Sequence, residues 1–179
     1  MKNIKTVWLS AFTNVVPADY ENWLEQLAFQ GWNIDHIGQW SSVVMNFRRS
    51  EPKKYRYIYD IQAFPKNEYK ATYEQFGWEF VGQMASCFIW RKLYTDKRPE
   101  SFTSLESLEK RNKQVVSAVS VSFTIFLIVS LVLITNLIIT FSSLSTSDIV
   151  QFILGTILSS TFTLYLGYVM RKIYKNRFK

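Results

Sequence analysis

Cysteine and histidine are almost missing from this sequence, which contains one of each among its 179 residues. A single cysteine, Cys87, cannot form a disulfide within the chain, as is typical of proteins in a reducing cytoplasm. We expect it to be a small buried apolar residue. One cysteine and one histidine also cannot supply the four ligands of a structural zinc site. We therefore expect neither a metal nor any other cofactor.

Recognisable catalytic motifs are missing as well. The sequence has no Gly-rich phosphate loop, no metal-ligand cluster and no nucleophile elbow. Glu25 and Glu74 are predicted to lie on solvent-exposed helix faces, and His36 is predicted to be an ordinary strand residue. Catalysis is therefore not expected. An enzyme that acts on lipid or envelope precursors would need Asp35, His36 and Glu79 to converge, which the sequence leaves open.

Charged residues are also missing from two long apolar runs, Val115–Phe141 and Ile149–Met170. Each exceeds the ~20 residues that a helix needs to cross the hydrocarbon core of a bilayer. We predict a transmembrane hairpin over residues 115–170, with a tight turn at Ser142–Asp148. The spans contain no ionisable residue, which argues against an ion path or a proton relay.

Basic residues flank this hairpin on one side only. They are Lys110, Arg111 and Lys113 before the first run, and Arg171, Lys172, Lys175, Arg177 and Lys179 after the second. The connecting loop contains no lysine or arginine. Because positive charge stays on the cytoplasmic side, we expect a bacterial cell-membrane protein with both termini in the cytoplasm. The start of the sequence lacks a signal-peptide pattern, so we expect residues 1–95 to form a cytoplasmic domain.

Small residues recur every fourth position along the second run, as Gly155, Ser159, Thr163 and Gly167. This spacing places them on one stripe of a helix, where another helix can approach closely. The stripe either packs the two helices of the hairpin together, or mediates dimerisation or docking onto a larger membrane protein.

The N-terminal region alternates predicted strands and helices. A strand over Lys5–Phe12 precedes a helix opened by Pro17 and ended by Gly31, and strands over Trp32–Trp40 and Ser42–Arg49 follow. The same order returns as a strand over Tyr55–Phe64, a helix over Glu68–Phe76, and strands over Glu79–Met84 and Cys87–Tyr94.

This recurrence indicates an internal duplication, over about residues 1–50 and 53–95. The Gly-Trp pair after each helix, Gly31-Trp32 and Gly77-Trp78, is one of several matching anchors. The predicted fold is α+β, with duplicated strand-helix-strand-strand units that form an antiparallel sheet with two helices on one face. Residues 96–114 are then a linker and juxtamembrane helix, and residues 171–179 a basic tail.

Aromatic residues are the best candidates for a ligand site. Either they form an open surface for a peptide, a lipid headgroup or an apolar small molecule, or they are the core of a small domain. The candidates are Trp32, Trp40, Tyr55, Tyr57, Tyr59, Trp78 and Trp90.

A run of basic residues in the same domain is predicted to face anionic lipid or a partner, unless it is only a solvated strand edge. The run comprises Arg48, Arg49, Lys53, Lys54 and Arg56, and beside the membrane Arg171 and Lys172 are candidates of the same kind. Residues 1–98 contain 13 basic and 10 acidic residues. Nucleic acid is not an expected partner, because this excess is small and the domain is tethered.

Several motifs resemble a known bacterial family, domain of unknown function 2812. They are Tyr55-Arg56-Tyr57 with Asp60, Tyr69, the string Gly77-Trp78-Glu79-Phe80-Val81-Gly82, and the closing Ile89-Trp90-Arg91-Lys92. The resemblance covers roughly residues 1–95, and many members carry a membrane hairpin behind this region. It implies no catalytic residues. Members often accompany PadR-type repressors in Firmicutes, which implies a part in regulated envelope or drug responses.

These features predict a membrane-anchored domain that binds a ligand or a partner as a non-catalytic sensor or regulator of envelope or drug stress. An alternative is an accessory or immunity subunit that docks onto a transporter or a membrane-active peptide through the small-residue stripe. The enzyme described above is a further alternative. The expected partners are the lipid bilayer and either another protein or a second copy of the chain. A small apolar ligand is a further candidate.

Overall fold

The computed structural model describes residues 3–100, 105–141 and 144–175. The chain divides into two compact units, Met1–Arg111 and Asn112–Phe178. The first unit contains β1 (Ile4–Trp8), α1 (Ser10–Thr13), α2 (Pro17–Phe29), β2 (Trp32–Asn33), a 3₁₀ turn (Gln39–Ser42), β3 (Val44–Arg49), β4 (Tyr55–Ile61), α3 (Tyr69–Gln75), β5 (Glu79–Met84) and β6 (Cys87–Leu93). The helices α4 (Leu105–Thr140) and α5 (Thr146–Lys175) follow.

The first half of the domain forms an antiparallel sheet in the order β1-β3-β2. Two of its strands are shorter than predicted. β1 ends at Trp8, because Leu9 takes a left-handed conformation (φ 55°) and Ser10–Thr13 form a helical turn. β2 covers only Trp32–Asn33, because the chain then leaves β3 and Ile37 pairs instead with β5.

The second half forms a separate antiparallel sheet in the order β4-β6-β5. Its strands agree closely with the prediction, with Tyr55 opposite Leu93 and Ile61 opposite Cys87. Both halves therefore share one order of elements, strand-helix-strand-strand, and one order of strands. The α+β class is confirmed, although the strands form two three-stranded sheets instead of one. That the halves arose by duplication stays a prediction.

A short bridge joins the two sheets. The Ile37 amide donates to the Val81 carbonyl at 3.1 Å, and Ile37 pairs with Gly82 in parallel orientation. Gly82 has a φ of +153°, and a Cβ at this position would lie 1.9 Å from the Ile37 carbonyl oxygen. Only glycine allows the backbones to approach this closely.

Helices α2 and α3 pack on opposite sides of β4, not on one face as predicted. Tyr20 of α2 joins the core cluster of Tyr57 and Tyr59, whereas Tyr69 of α3 packs against the cluster of Ile58. Successive side chains of a strand point to opposite faces, so these clusters lie on either side of β4. Both helices end as predicted, because Gly31 and Gly77 take left-handed conformations (φ +82° and +76°).

The second unit contains two helical segments that are long and apolar enough to cross a membrane. They are Lys113–Thr140 and Thr146–Lys175, with mean hydropathies of 2.5 and 1.6. Only 11% of the apolar stretch in each segment is buried, whereas a core helix of a soluble protein would be mostly buried. Residues 142–143 of the predicted turn, residues 101–104 of the linker and residues 176–179 of the tail lie outside the described residues.

Candidate functional site

Most of the predicted aromatic stripe lies inside the domain. Tyr55, Tyr57, Trp78 and Trp90 are buried, and Tyr59 is packed against the core. Burial raises the pKa of Tyr57 above its ordinary value, because the charged phenolate would be desolvated. Apart from Tyr55, which lines a shallow surface pocket, these side chains do not line an open groove, and ligand binding through them stays a prediction.

Trp40 is the exposed member of the predicted set, with 81% of its surface accessible. Trp8, Leu9 and Phe12 are also exposed. The four residues lie on adjoining elements, since the Leu9 amide donates to the Val43 carbonyl at 2.6 Å and the Val43 amide donates to the Trp40 carbonyl at 3.0 Å. We call these four residues the aromatic patch.

Three of these four patch residues were not among the predicted site residues, namely Trp8, Leu9 and Phe12. They fell inside the strand predicted over Lys5–Phe12. The early end of β1 at Trp8 and the left-handed Leu9 change that geometry. The sequence does not indicate a left-handed Leu, because the left-handed backbone conformation favours glycine and asparagine.

Trp32 lies between two cationic side chains. The Arg49 guanidinium carbon lies 5.0 Å from the Trp32 ring centroid, and Lys5 Nζ lies 5.8 Å from it. These distances allow cation–π attraction. Trp32 thus helps to hold basic side chains on the surface of the first sheet.

The basic run separates into two environments. Arg48, Arg49, Lys53 and Lys54 are exposed, as a surface that contacts lipid or a partner requires. Arg56 is buried, with 6% of its side chain accessible. Arg171 is exposed and Lys172 is half-buried near the end of α5. Their contact with lipid or a partner stays a prediction.

Arg56 pairs with two glutamates of α2. Its Nη2 donates to Glu21 Oε2 at 3.0 Å, and its Nη1 donates to Glu25 Oε1 at 2.6 Å. The same carboxylates accept backbone hydrogen bonds from β4, Tyr59 to Glu21 at 3.0 Å and Tyr57 to Glu25 at 3.3 Å. These contacts cover the outer edge of β4 and satisfy its amides. Glu25 is therefore not the solvated residue that was predicted, whereas Glu74 is exposed as expected.

Arg98 attaches the start of the predicted linker to the same helix. Its Nε donates to Glu25 Oε2 at 2.9 Å, and its Nη2 donates to Asn22 Oδ1 at 3.0 Å. Residues 96–100 therefore contain a fixed contact with the domain, although the composition predicted a plain linker.

A shallow pocket of about 220 Å³ lies at the end of α2. It brings together two predicted site residues, Lys54 and Tyr55, with Tyr94 and several residues of α2. Those residues are Glu25, Gln26, Phe29 and, just beyond the helix, Gln30. The pocket is small and shallow, and one of its polar groups, the Glu25 carboxylate, already accepts hydrogen bonds from Arg56 and Arg98.

The acids considered for catalysis are held by arginines. Asp35 Oδ2 lies 3.0 Å from Arg48 Nε, and Glu79 accepts a hydrogen bond from Arg91 Nε at 2.7 Å. The hydrogen bond from Arg91 holds the pKa of Glu79 below its ordinary value. Asp35, Glu79 and the exposed His36 make no hydrogen bond to one another in the described part of the chain. No group of three or more possible metal ligands occurs there either.

The small-residue stripe of α5 faces α4. Ser159 and Thr163 are buried, and the hydroxyl oxygens of Ser130 and Thr163 lie 3.2 Å apart. A Cβ added at Gly167 would lie 3.4 Å from the Phe123 ring, and one at Gly155 would lie 3.8 Å from Leu133. In this structure the stripe packs the two helices of the hairpin together.

Comparison with known proteins identifies one family. Residues 17–125 match the family described as "Protein of unknown function (DUF2812)". The match runs from α2 into α4, so it begins and ends later than the resemblance over residues 1–95. No curated protein and no solved structure matches the chain.

Proposed function

This chain belongs to the DUF2812 family, which is described only as of unknown function, and we propose that it is a membrane-anchored binding protein. Its α+β domain binds a protein partner through the aromatic patch, and its two apolar helices hold it at a bacterial cell membrane. In this proposal the protein is a non-catalytic sensor or regulator. Its setting is envelope or drug stress, the context that the family resemblance implies.

The aromatic patch is the observation that carries the proposal. Trp8 and Trp40 expose 66% and 81% of their surfaces, whereas the other four tryptophans of the domain are buried or half-buried. Large aromatic residues are enriched at the energetic centres of protein interfaces. An exposed cluster of them beside a left-handed Leu9 therefore favours a contact surface over a solvated one.

The hairpin supports the membrane location. The two segments are uncharged over Val115–Phe141 and Ile149–Met170 and expose most of their apolar side chains. We propose that both termini lie in the cytoplasm, because lysine and arginine flank the hairpin on that side and are missing from its loop. The stripe packs within the hairpin, so it offers no specific support for docking onto a transporter.

A photo-crosslinking experiment tests the proposal. We replace Trp40 with p-benzoylphenylalanine in the full-length protein in its native membrane, and we replace the exposed Phe76 as the matched control. We expect one defined protein adduct from position 40 and none from position 76. Adducts with lipid alone, or the same adducts from both positions, would contradict a protein partner at the patch.

A further inference from the structure

A buried carboxylate lies beneath α3. Asp60 is 6% accessible, and its Oδ2 accepts hydrogen bonds from the hydroxyls of Tyr69 at 2.7 Å and Tyr73 at 3.0 Å. Gln62 Nε2 lies farther away, at 3.4 Å. In the part of the chain that the structure describes, no lysine or arginine forms an ion pair with Asp60. Its negative charge is thus held by neutral donors, and a buried charge without a countercharge is costly.

Aromatic rings surround this carboxylate. Tyr73 stacks on Trp90 with ring centroids 4.6 Å apart and an angle of 10° between the planes. Tyr69 meets Phe88 edge to face at 5.1 Å, and Phe80 lies 5.1 Å from Trp90. The faces of such rings carry negative electrostatic potential. Rings and carboxylate together form a region that favours positive charge.

The rings already attract one cation of the chain itself. Lys70 Nζ lies 4.2 Å from the centroid of Phe80 and 6.0 Å from that of Phe88. Both distances are within the range of cation–π attraction. The Lys70 side chain is exposed and does not reach the carboxylate, so it does not neutralise the negative charge of Asp60.

The cover over this cluster is weak. α3 has seven residues, buries none of them, and has no side-chain hydrogen bond at its N-cap. A helix this short has little stability of its own. The two tyrosine hydroxyls on Asp60 are among its polar attachments to the sheet. Trp90 Nε1 also donates to the Tyr69 hydroxyl at 3.1 Å, and Lys92 Nζ donates to the Phe76 carbonyl at 2.7 Å just beyond the helix. A group that replaced the two hydroxyls at the carboxylate would therefore loosen α3 by removing two of these attachments.

We propose that Asp60 and the rings of Phe80, Phe88 and Trp90 form a binding site for a hydrophobic organic cation, which enters as α3 moves away and carries Tyr69 and Tyr73 with it. The site suits an organic cation better than a metal ion, because it offers one carboxylate and ring faces where Ca²⁺ or Mg²⁺ requires several oxygen ligands. The inference goes beyond the proposed partner binding, because it adds a second site and names the class of its ligand.

Two probes of one shape and opposite charge test the site. Full-length protein in lipid nanodiscs is titrated calorimetrically with tetraphenylphosphonium and, separately, with tetraphenylborate, and the signal of empty nanodiscs is subtracted. We expect saturable 1:1 binding of tetraphenylphosphonium only. Equal binding of the two probes, or binding of neither, overturns the inference.

Variants locate the charge. We expect Asp60→Asn to weaken tetraphenylphosphonium binding at least tenfold, and Glu74→Gln, which removes an exposed carboxylate from α3, to leave it unchanged. Near-UV circular dichroism verifies that Asp60→Asn is folded. Lys70→Met removes the competing internal cation and keeps Asp60, so it should tighten binding two- to fivefold. Unchanged affinity in Asp60→Asn, or weaker binding in Lys70→Met, overturns the inference.

The outcomes separate this inference from the proposed function. If the position-40 adduct forms but tetraphenylphosphonium does not bind, the cation site is wrong and the partner-binding domain stands. If tetraphenylphosphonium binds and no protein adduct forms at position 40, the site stands and the partner proposal is wrong.

Discussion

At the scale of single residues, arginines that look alike in the sequence have different environments. Arg48 pairs with Asp35 at the surface, and 70% and 63% of the two side chains are accessible. Arg56 pairs with Glu21 at the same distance of 3.0 Å, yet 6% and 2% of those side chains are accessible. Water screens the first pair, so it adds little stability. The second pair has lost its hydration and depends on its partner.

This difference predicts unequal effects of the same substitution. Arg56→Met leaves the buried Glu21 without its cation, and we expect the free energy of unfolding to fall by about 3–5 kcal/mol. Arg48→Met should change it by less than about 1 kcal/mol. Urea unfolding of the full-length protein in detergent, followed by tryptophan fluorescence, measures both. Similar losses in the two variants would contradict a structural role specific to Arg56.

The sequence predicts the face of a residue better than its partners. The alternation along β4 placed Tyr55, Tyr57 and Tyr59 on one face, and the core cluster confirms this. The pattern did not reveal that Glu21, 38 residues before Tyr59, would accept the backbone hydrogen bond of that strand. Such a contact depends on where α2 lies along the sheet edge, which local periodicity does not determine.

At the scale of elements, strong terminators made the helices predictable. Pro17 begins α2, and Gly31 and Gly77 follow the ends of α2 and α3 as predicted. β1 and β2 were predicted too long, because a run of β-forming residues does not show where pairing stops. Pairing stops at Leu9 through its left-handed backbone, and after Asn33 because the chain turns towards β5.

The stripe of α5 leads to a prediction at this scale. Thr163 is buried against Ser130, whereas Thr161, which lies outside the stripe, is exposed and hydrogen-bonds only within its own helix. Thr163→Leu adds bulk to a packed contact, so we expect the hairpin to lose about 1–3 kcal/mol of stability. Thr161→Leu is the matched control and should change stability by less than about 0.5 kcal/mol.

This difference is measured by unfolding the helices with increasing concentrations of a denaturing detergent and following circular dichroism at 222 nm. Light scattering reports the oligomeric state. Equal stability of Thr163→Leu and Thr161→Leu would contradict packing through the stripe. A dimer that becomes monomeric in Thr163→Leu without any loss of hairpin stability would indicate that the stripe joins two chains instead.

At the scale of the whole molecule, the charge distribution and the apolar helices determine the proposed topology. The chain carries a net charge of +7. Its last 81 residues contain eight basic side chains, and all of them lie beside the apolar runs and none within the loop. By the positive-inside rule, this asymmetry predicts that the segments flanking the helices lie in the cytoplasm. It was visible in the sequence, whereas the aromatic patch and the Asp60 cluster depend on contacts between distant segments.

Cysteine labelling tests the topology, and the single native cysteine makes it simple. In a Cys87→Ala background, Ser147→Cys places a thiol in the first turn of α5 and Lys97→Cys places one on the exposed end of the domain. We expect a membrane-impermeant maleimide to label position 147 in intact cells, and position 97 only after the membrane is permeabilised. Labelling of position 97 alone in intact cells would indicate the opposite orientation, with the domain outside the cell. Labelling of both positions in intact cells would contradict two spans with cytoplasmic termini, because the loop and the domain must then lie on the same side.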